Sequence, residues 1–347
     1  MDSLKCREGD FIETVEGLIF DVKGLVHPLN RVIAFVRYIP DERGKRRRGD
    51  LRYRKVYSLK VRENLLNREY PHYLIVDPVF NERISEVHID HVTHHYKPQD
   101  TASLLKRKER LDAVENEALE FIDLLVEASG ISKRKIGISG SIMVDLHLPT
   151  SDIDIIVYGT QNCLIAHNTL KNFFGDRKSL IQAYDLEGLR KLYSFRVKDT
   201  PMSFEDFYRH AIRKSSQGTF RGRDFSIRYI KDWDEVKEKF GETLYRSFGQ
   251  GIIKAKVIDD SEAIFTPCHY LVEDVEFIEG KRVTRLKEVA SFRGRFCQHV
   301  KSGESIITRG KLECVKTGKE EYFRILVGGT AQDYIVSCRK DEIDKKF

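Results

Sequence analysis

Two aspartates, Asp152 and Asp154, stand one residue apart at the start of the apolar run 155–158. Side chains of an extended strand alternate between its faces, so both carboxylates project from one face, about 7 Å apart along the backbone. Carboxylates at this spacing repel each other unless a cation lies between them. Hard divalent ions such as Mg2+ prefer such oxygen ligands and commonly also bind substrate phosphates. The pair therefore predicts a metal site that serves phosphate chemistry.

A Gly-Ser pair, Gly140 and Ser141, precedes these aspartates with a gap of ten residues. It follows the short apolar run 136–138, which we expect to be a strand, and it is expected to open one turn of helix. The N–H groups at the start of a helix lack intrahelical partners and favour an anionic phosphate. A phosphate-binding turn beside a carboxylate pair indicates nucleotidyl transfer.

The Gly-Ser turn, the gap and the Asp-x-Asp strand together resemble the signature of the DNA polymerase β-type nucleotidyltransferase superfamily, over roughly residues 101–247. That superfamily holds terminal transferases, poly(A) polymerases, CCA-adding enzymes and small-molecule nucleotidyltransferases. Many members carry a second glycine where this chain has Ser139. The resemblance implies two Mg2+ ions, with Mn2+ as an alternative, bound by Asp152, Asp154 and a third carboxylate. It also implies that Gly140 and Ser141 position the triphosphate.

The third carboxylate is expected to be Asp224, which precedes the alternating run 225–230. That run is typical of a half-buried strand. The 70 residues that separate it from Asp154 leave room for helices. Asp224 would help to hold the second ion and act on the acceptor hydroxyl, as general base or by orienting it. Asp232 and Asp234 are instead expected to be acidic residues at the start of a helix over about 233–246.

A structural accident is the alternative for the aspartate pair, because most isolated Asp-x-Asp sequences are solvated turn or cap residues. A related alternative is a member of this fold that has lost catalysis and only binds nucleotides or RNA.

A second candidate site is the segment 40–50, expected to be a long hairpin loop with five positive charges: Arg43, Lys45, Arg46, Arg47 and Arg48. Each phosphate that such a loop neutralised would add salt-dependent affinity for nucleic acid. The same charges could simply keep an edge hairpin soluble. The sequence leaves both interpretations open.

Four histidines fall within eight residues: His88, His91, His94 and His95. Imidazole is the commonest metal ligand, which suggests a metal site. No cysteine accompanies them and Pro98 follows closely. We therefore favour a surface strand or interdomain linker.

The elements that must position these residues indicate an α+β protein. We expect a catalytic domain at 101–247, built as a mixed sheet with helices over 103–128, 161–174, 179–194 and 203–215. A strand-rich α+β module at 1–100 precedes it. Six short strands at 252–257, 269–277, 289–299, 304–315, 322–327 and 334–338 predict a small antiparallel β-barrel at 248–347.

Composition excludes several classes. With 41% hydrophobic and 33% charged residues, the 347-residue chain is typical of a globular protein and not of a disordered one. No apolar run reaches 18 residues and the N-terminus lacks an apolar signal core, so we expect a cytoplasmic protein without a membrane partner. The six cysteines lack zinc-ligand spacing and are expected to be reduced. The net charge of +6 permits nucleic-acid contact without requiring it.

These observations predict a Mg2+-dependent nucleotidyltransferase that transfers a nucleoside monophosphate from a nucleoside triphosphate to an acceptor hydroxyl. The favoured acceptor is an RNA 3′ end, with DNA less favoured. One alternative is transfer to a protein side chain or a small molecule. Another is a non-catalytic RNA- or nucleotide-binding protein on the same scaffold. The nucleotide, the templating and the oligomeric state are left open.

Overall fold

The computed structural model describes residues 4–338 as a mixed α+β structure with three sheets. The chain forms two compact units that alternate along the sequence. The first holds the described residues up to 75, together with 84–183 and 215–239. The second holds 76–83, 184–214 and the described residues from 240 onward. The expected boundaries near residues 100 and 247 stay a prediction.

The N-terminal sheet is strand-rich, as predicted, and carries one helix, α1 (Leu59–Glu69). Its strand order is β4-β5-β3-β2-β1-β8, with β7 paired to β3 and β6 paired to β7. The strands are β1 (Phe11–Thr14), β2 (Ile19–Val22), β3 (Arg31–Pro40), β4 (Arg46–Arg48), β5 (Leu51–Lys55), β6 (Leu74–Asp77), β7 (Glu82–His88) and β8 (Val92–Tyr96). Alternation along β2 and β3 buries Phe20, Val22, Ala34 and Val36 in one core.

The second sheet also lies in the first unit and has the order β11-β12-β13-β10-β9. Its strands are β9 (Ile136–Ile138), β10 (Ile153–Tyr158), β11 (Ile181–Gln182), β12 (Gln217–Phe220) and β13 (Arg223–Ile230). The central pair, β10 and β13, is parallel and the other pairs are antiparallel. The sheet is therefore mixed, as predicted.

Helices cover one face of this mixed sheet. They are α3 (Ala113–Ser129) and α5 (Thr160–Gly175). The helix α2 (Pro98–Leu105) lies against Gly137 of β9 on the other face, and the single turn α4 (Gly140–Met143) follows β9. The ring of Phe121 on α3 lies 4.9 Å from that of Phe225 on β13, centroid to centroid. Ile153, Ile155 and Val157 are fully buried, as expected for the core-facing positions of β10.

The long helix expected over 103–128 is wrong, because the chain forms α2 and α3 instead. The Asp112 carboxylate accepts the N–H groups of Val114 and Glu115, and the Glu115 side chain returns to the Asp112 N–H. This capping box starts α3 as a separate helix, several residues after α2 has ended at Leu105. Gly130, with φ +71°, ends α3 at the predicted place.

The second unit contains α6 (Leu186–Arg196), α7 (Phe204–Ala211) and a six-stranded sheet. The strands are β14 (Thr243–Asp259), β15 (Cys268–Glu279), β16 (Leu286–Ser291), β17 (Ser305–Thr317), β18 (Glu320–Leu326) and β19 (Tyr334–Ser337). The order runs β14-β15-β16-β18-β17-β19, and β17 also pairs with β14. The sheet therefore curls back on itself as a barrel-like core. It departs from a wholly antiparallel arrangement at β16 and β18, which are parallel.

The helix expected over 233–246 is wrong. Residues 233–242 form turns and irregular backbone, and β14 begins at Thr243. Pairing with β17 over a long register, from Thr243 opposite Thr317 onward, overrides the local helical pattern. Since no helix forms there, Asp232 is not a helix cap. It forms ion pairs with Arg7 (3.2 Å) and Lys135 instead.

Within residues 4–338, none of the helices has the length and apolar character that crossing a membrane requires.

Candidate metal and nucleotide site

The central parallel strands bring the predicted carboxylates to one face of the mixed sheet. Asp154 on β10 is the register partner of Ser226 on β13, and the Ser226 hydroxyl donates a hydrogen bond to Asp154 Oδ1 at 2.7 Å. Both side chains therefore lie on the same face. Asp152, two residues before Asp154, shares that face because strand side chains alternate.

Asp224 belongs to the same group by register. It lies two residues before Ser226 on β13, so its side chain projects from the same face. Ile153 pairs with Phe225, which places Asp224 beside Asp152 one register step earlier. The side chain of Asp224 is exposed. Three acidic side chains thus converge where two adjacent strands begin.

Gly140 is required at its position by the Asp154 carboxylate. Its φ is +67°, a left-handed conformation that favours glycine, and an added Cβ would overlap with the Asp154 carboxyl group. The N–H of Ser139 donates to the backbone carbonyl of Asp154 at 2.8 Å. The Gly-Ser turn therefore packs directly against the aspartate strand, as their spacing in the sequence suggested.

Ser141 presents a buried polar atom at this turn. Its side chain is 2% exposed, and its hydroxyl has no hydrogen-bond partner among residues 4–338. A buried hydroxyl left unpaired costs about 1–3 kcal/mol. This hydroxyl is therefore available to a ligand oxygen at the turn, as the predicted nucleotide site requires.

The electrostatics of the pair favour a bound cation. Burial raises the pKa of the Asp154 carboxyl, and the negative charge of Asp152 raises it further. In the part of the chain that the structure describes, no lysine or arginine forms an ion pair with Asp152, Asp154 or Asp224. The donor set is all carboxylate, which fits Mg2+ or Mn2+.

One basic side chain of the N-terminal sheet, that of Lys55, acts on this carboxylate group, and Arg37 lies near Lys55. Lys55 on β5 opposes the raised pKa of Asp154 through its positive charge. Lys55 and Arg37 both approach the Tyr57 ring, at 4.9 and 5.2 Å from its centroid. Neither cation forms an ion pair within residues 4–338. Sequence reasoning missed both, since only the pairing of β3 with β5 brings them together.

The N-terminal segment packs on the same face of the mixed sheet, which sequence reasoning also missed. The Ser139 hydroxyl donates to the Gly9 carbonyl at 2.7 Å. Arg228 on β13 pairs with Glu8 at 2.9 Å and with Asp21 at 3.5 Å. Although burial favours neutral Asp21, Lys23 and Arg228 hold the pKa of its carboxyl low. Ser139 therefore attaches the N-terminal segment to the sheet.

The basic segment is not the single long loop that was expected, because it contains the strand β4 (Arg46–Arg48), which forms a hairpin with the antiparallel strand β5. Arg48 turns inward: it donates to Glu13 at 3.0 Å and to the hydroxyls of Tyr96 and Tyr53 at 2.8 Å. Arg46 reaches the loop before Asp152 by donating to the Leu146 carbonyl. The cations of this segment that remain exposed are Arg43, Lys45 and Arg47.

The four histidines separate into different environments. His95 Nε2 lies 2.9 Å from Asp10 Oδ2 and 3.6 Å from Cys6 Sγ. His91 groups with Glu16 and His72. The spacing of each trio, and of a third made by Asp112, Glu115 and His147, would accommodate a metal ion. The remaining two, His88 and His94, lie against Asp90 and Tyr96 respectively.

Comparison with known proteins gives one relationship along the whole chain. The chain is 30% identical over 341 residues to a protein of Methanocaldococcus jannaschii named "Uncharacterized protein MJ1086". The match covers 95% of this chain and 98% of that protein. No protein-family model matches the chain, and no solved structure matches it.

Proposed function

The chain belongs to the same family as the archaeal protein MJ1086, and we propose that it is a metal-dependent nucleotidyltransferase of the DNA polymerase β type. The observation that carries this proposal is the placement of Asp152, Asp154 and Asp224 on one face of two adjacent parallel strands. The turn at Gly140, fitted against the Asp154 carboxylate, supports the same assignment.

Each residue of the site has a role in this reaction. Asp152 and Asp154 hold the metal ions, and Asp224 completes their ligands while it orients the acceptor hydroxyl or accepts its proton. Bound Mg2+ supplies polarisation of the α-phosphate and stabilises the charge of the leaving pyrophosphate. The Ser141 hydroxyl and the backbone at Gly140 contact the triphosphate. Ser226 keeps Asp154 oriented through the hydrogen bond to Oδ1.

The triphosphate carries more negative charge than the metal ions offset, so cations of the protein are needed. Lys55 contributes to that need, because its positive charge acts on Asp154 and it forms no ion pair among the described residues. Arginine and lysine bind phosphate oxygens through charge-assisted hydrogen bonds. In this proposal the N-terminal sheet therefore contributes to nucleotide binding.

An RNA 3′ end is the acceptor that the basic hairpin favours. Arg43, Lys45 and Arg47 are exposed on a hairpin of the unit that carries the aspartates, and Arg46 connects this hairpin to the loop before Asp152. The alternative acceptor, a protein side chain or a small molecule, is favoured by the inward turn of Arg48, which removes one of five expected phosphate contacts.

The test is incubation of the intact protein with each labelled nucleoside triphosphate, total cellular RNA, and Mg2+ or Mn2+. We expect label in RNA and none with a chelator. Asp224→Asn should remove incorporation, whereas Asp234→Asn, an exposed acidic residue outside the site, should not. Label in protein or in a small molecule would show that RNA is not the acceptor, while the proposed nucleotidyl transfer would stand. Absence of any labelled product with either metal would overturn the proposed activity.

A further inference from the structure

The second unit contains a cavity that uses none of the residues of the carboxylate site. It is small and lies between the α6–α7 segment and the turn after β16. Its wall includes three cationic side chains, those of Arg196, Lys214 and Arg295, together with the imidazoles of His210 and His299. None of the described residues that line it is acidic.

The positive charge at this cavity exceeds the negative charge beside it. Asp199 has both carboxylate oxygens engaged, one by Arg293 at 2.7 Å and the other by Arg295. Lys214 is 4% exposed and donates to the Arg295 carbonyl, but it has no carboxylate partner among the described residues. An ammonium buried without a counter-ion is costly, and a bound anion would remove that cost.

The titration of these groups agrees with an excess of cations. Burial, with the charge of Arg196 next, lowers the pKa of Lys214 to about 7. Burial and the neighbouring Arg295 likewise lower the pKa of Arg196 to about 10. A nearby negative charge would therefore stabilise the charged form of each group.

The two histidines are neutral and add a hydrogen-bond acceptor. The Ser337 N–H donates to His210 Nε2 at 3.4 Å, so His210 Nδ1 carries the proton that is donated to the His299 carbonyl at 2.9 Å. His299 Nε2 donates to the Ile335 carbonyl at 2.9 Å. This leaves His299 Nδ1 as a buried acceptor without a partner in the described chain. A ligand with both negative charge and a donor hydroxyl matches this wall.

We propose that this cavity binds a phosphate group that retains an ionisable proton, held by Lys214, Arg196 and Arg295. Inorganic phosphate and phosphate monoesters have this chemistry near neutral pH. Sulfate is a matched contrast, because it has similar size and charge but no proton to donate. The inference does not depend on the proposed nucleotidyl transfer.

The experiment is thermal unfolding and calorimetric titration of the intact protein with inorganic phosphate, at constant ionic strength and without divalent metal. A ligand that binds only the folded state raises the unfolding temperature with concentration. We expect phosphate to do so and sulfate to have a clearly smaller effect. Equal effects of the two anions, or no effect of phosphate, would overturn the proposal. This comparison needs no variant.

A variant assigns the site to the cavity. Lys214→Met keeps the length of the side chain and removes its charge, so phosphate affinity should fall about tenfold or more. Lys198→Met is the matched control, since Lys198 is an exposed lysine between α6 and α7, and it should bind phosphate as the unaltered protein does. Unchanged affinity in Lys214→Met would exclude the cavity as the site.

A further arm identifies the source of the phosphate. Adenosine monophosphate is compared with inorganic phosphate and with adenosine at equal concentration. Tighter binding of the monophosphate would support a nucleotide or a nucleic-acid end as the ligand, and tighter binding of inorganic phosphate would support the free ion. Binding of adenosine equal to that of its monophosphate would overturn the phosphate assignment.

Discussion

Asp154 is held where its negative charge is unfavourable. Ser226 donates one hydrogen bond to it and Gly140 lies against it, while Asp152 repels it. Lys55 and Arg228 offset this only in part, because the pKa of Asp154 remains raised. Such an arrangement does not stabilise the folded protein, and it is typical of a site that binds a cation.

Replacement of Asp154 by asparagine should separate function from stability. A raised pKa means that the stabilising contribution of this carboxyl is present at low pH and is lost as the pH rises through its folded value. At neutral pH without divalent metal, Asp154→Asn should therefore unfold at the same or a higher temperature than the unaltered protein. Nucleotide incorporation should fall by more than the roughly 10–100-fold that loss of an outer ligand costs.

Calorimetry with a chelator at pH 7 and at pH 3.5 checks this prediction. The advantage of the variant should shrink at the lower pH, and Mg2+ should stabilise only the unaltered protein. A lower unfolding temperature at neutral pH, together with retained activity, would contradict it.

Gly140→Ala tests the fit between the turn and the carboxylate. The new Cβ would overlap with the Asp154 carboxyl group, and φ +67° is unfavourable for alanine. We expect a loss of stability of about 1–3 kcal/mol and a loss of activity that added metal does not restore. Gly175→Ala is the control: it ends α5, with nothing near its Cβ, and should leave both properties unchanged. Denaturant unfolding and the incorporation assay measure the two effects.

Local sequence patterns were sufficient to predict the elements that carry the aspartates. The strand β10, the turn α4 and the strand β13 were each expected from apolar alternation and from the Gly-Ser pair. The parallel pairing of β10 with β13 was not readable from either strand alone. The resemblance implied a third carboxylate from a neighbouring strand but not this pairing, because register depends on contacts between residues about 70 positions apart.

Other elements were mispredicted or missed where distant contacts decide the outcome. The helical pattern over 233–246 gives way to β14 because β17 supplies a strand partner. Arg48 follows a basic run that suggests exposure, yet Glu13 draws it inward from a different strand. Glu8 pairs with Arg228 across 220 positions, so no window of sequence contains the signal.

The pair of Glu8 with Arg228 should stabilise the attachment of the N-terminal segment to the mixed sheet. Glu8 is almost fully buried, and its removal leaves the Arg228 charge dependent on Asp21 alone among these carboxylates. Breaking a buried pair costs about 3 kcal/mol or more. We expect Glu8→Gln to lower the free energy of unfolding by about that amount. Glu63→Gln, on an exposed position of α1, should change it little, and urea unfolding compares the two.

At the scale of the whole chain, two units share the sequence in alternating segments. Residues 184–214 follow β11 of the first unit and belong to the second, before β12 returns to the first. Expectations from composition divide a chain at contiguous boundaries, so they do not anticipate such an exchange. The aspartates, the basic hairpin and the N-terminal segment all belong to the first unit. The proposed reaction therefore assigns both nucleotide and acceptor binding to that unit.

The exposed cations of the hairpin give the last prediction, which concerns the acceptor. We expect the combined change Arg43→Glu, Lys45→Glu and Arg47→Glu to weaken RNA binding and to reduce its dependence on salt. Each lost contact with single-stranded RNA lowers the slope of log affinity against log salt concentration by about 0.7, so three lost contacts lower it by about 2. The aspartates are untouched, and incorporation into a saturating acceptor should persist.

A matched variant with the same change in net charge provides the control: Lys281→Glu, Arg282→Glu and Arg285→Glu lie on exposed positions between β15 and β16 in the second unit. If the hairpin binds RNA, this variant should retain the salt slope of the unaltered protein. Equal loss in both variants would mean that net charge alone governs RNA binding. No loss in either would favour a protein side chain or a small molecule as the acceptor, because transfer to those needs no contact with a phosphate backbone.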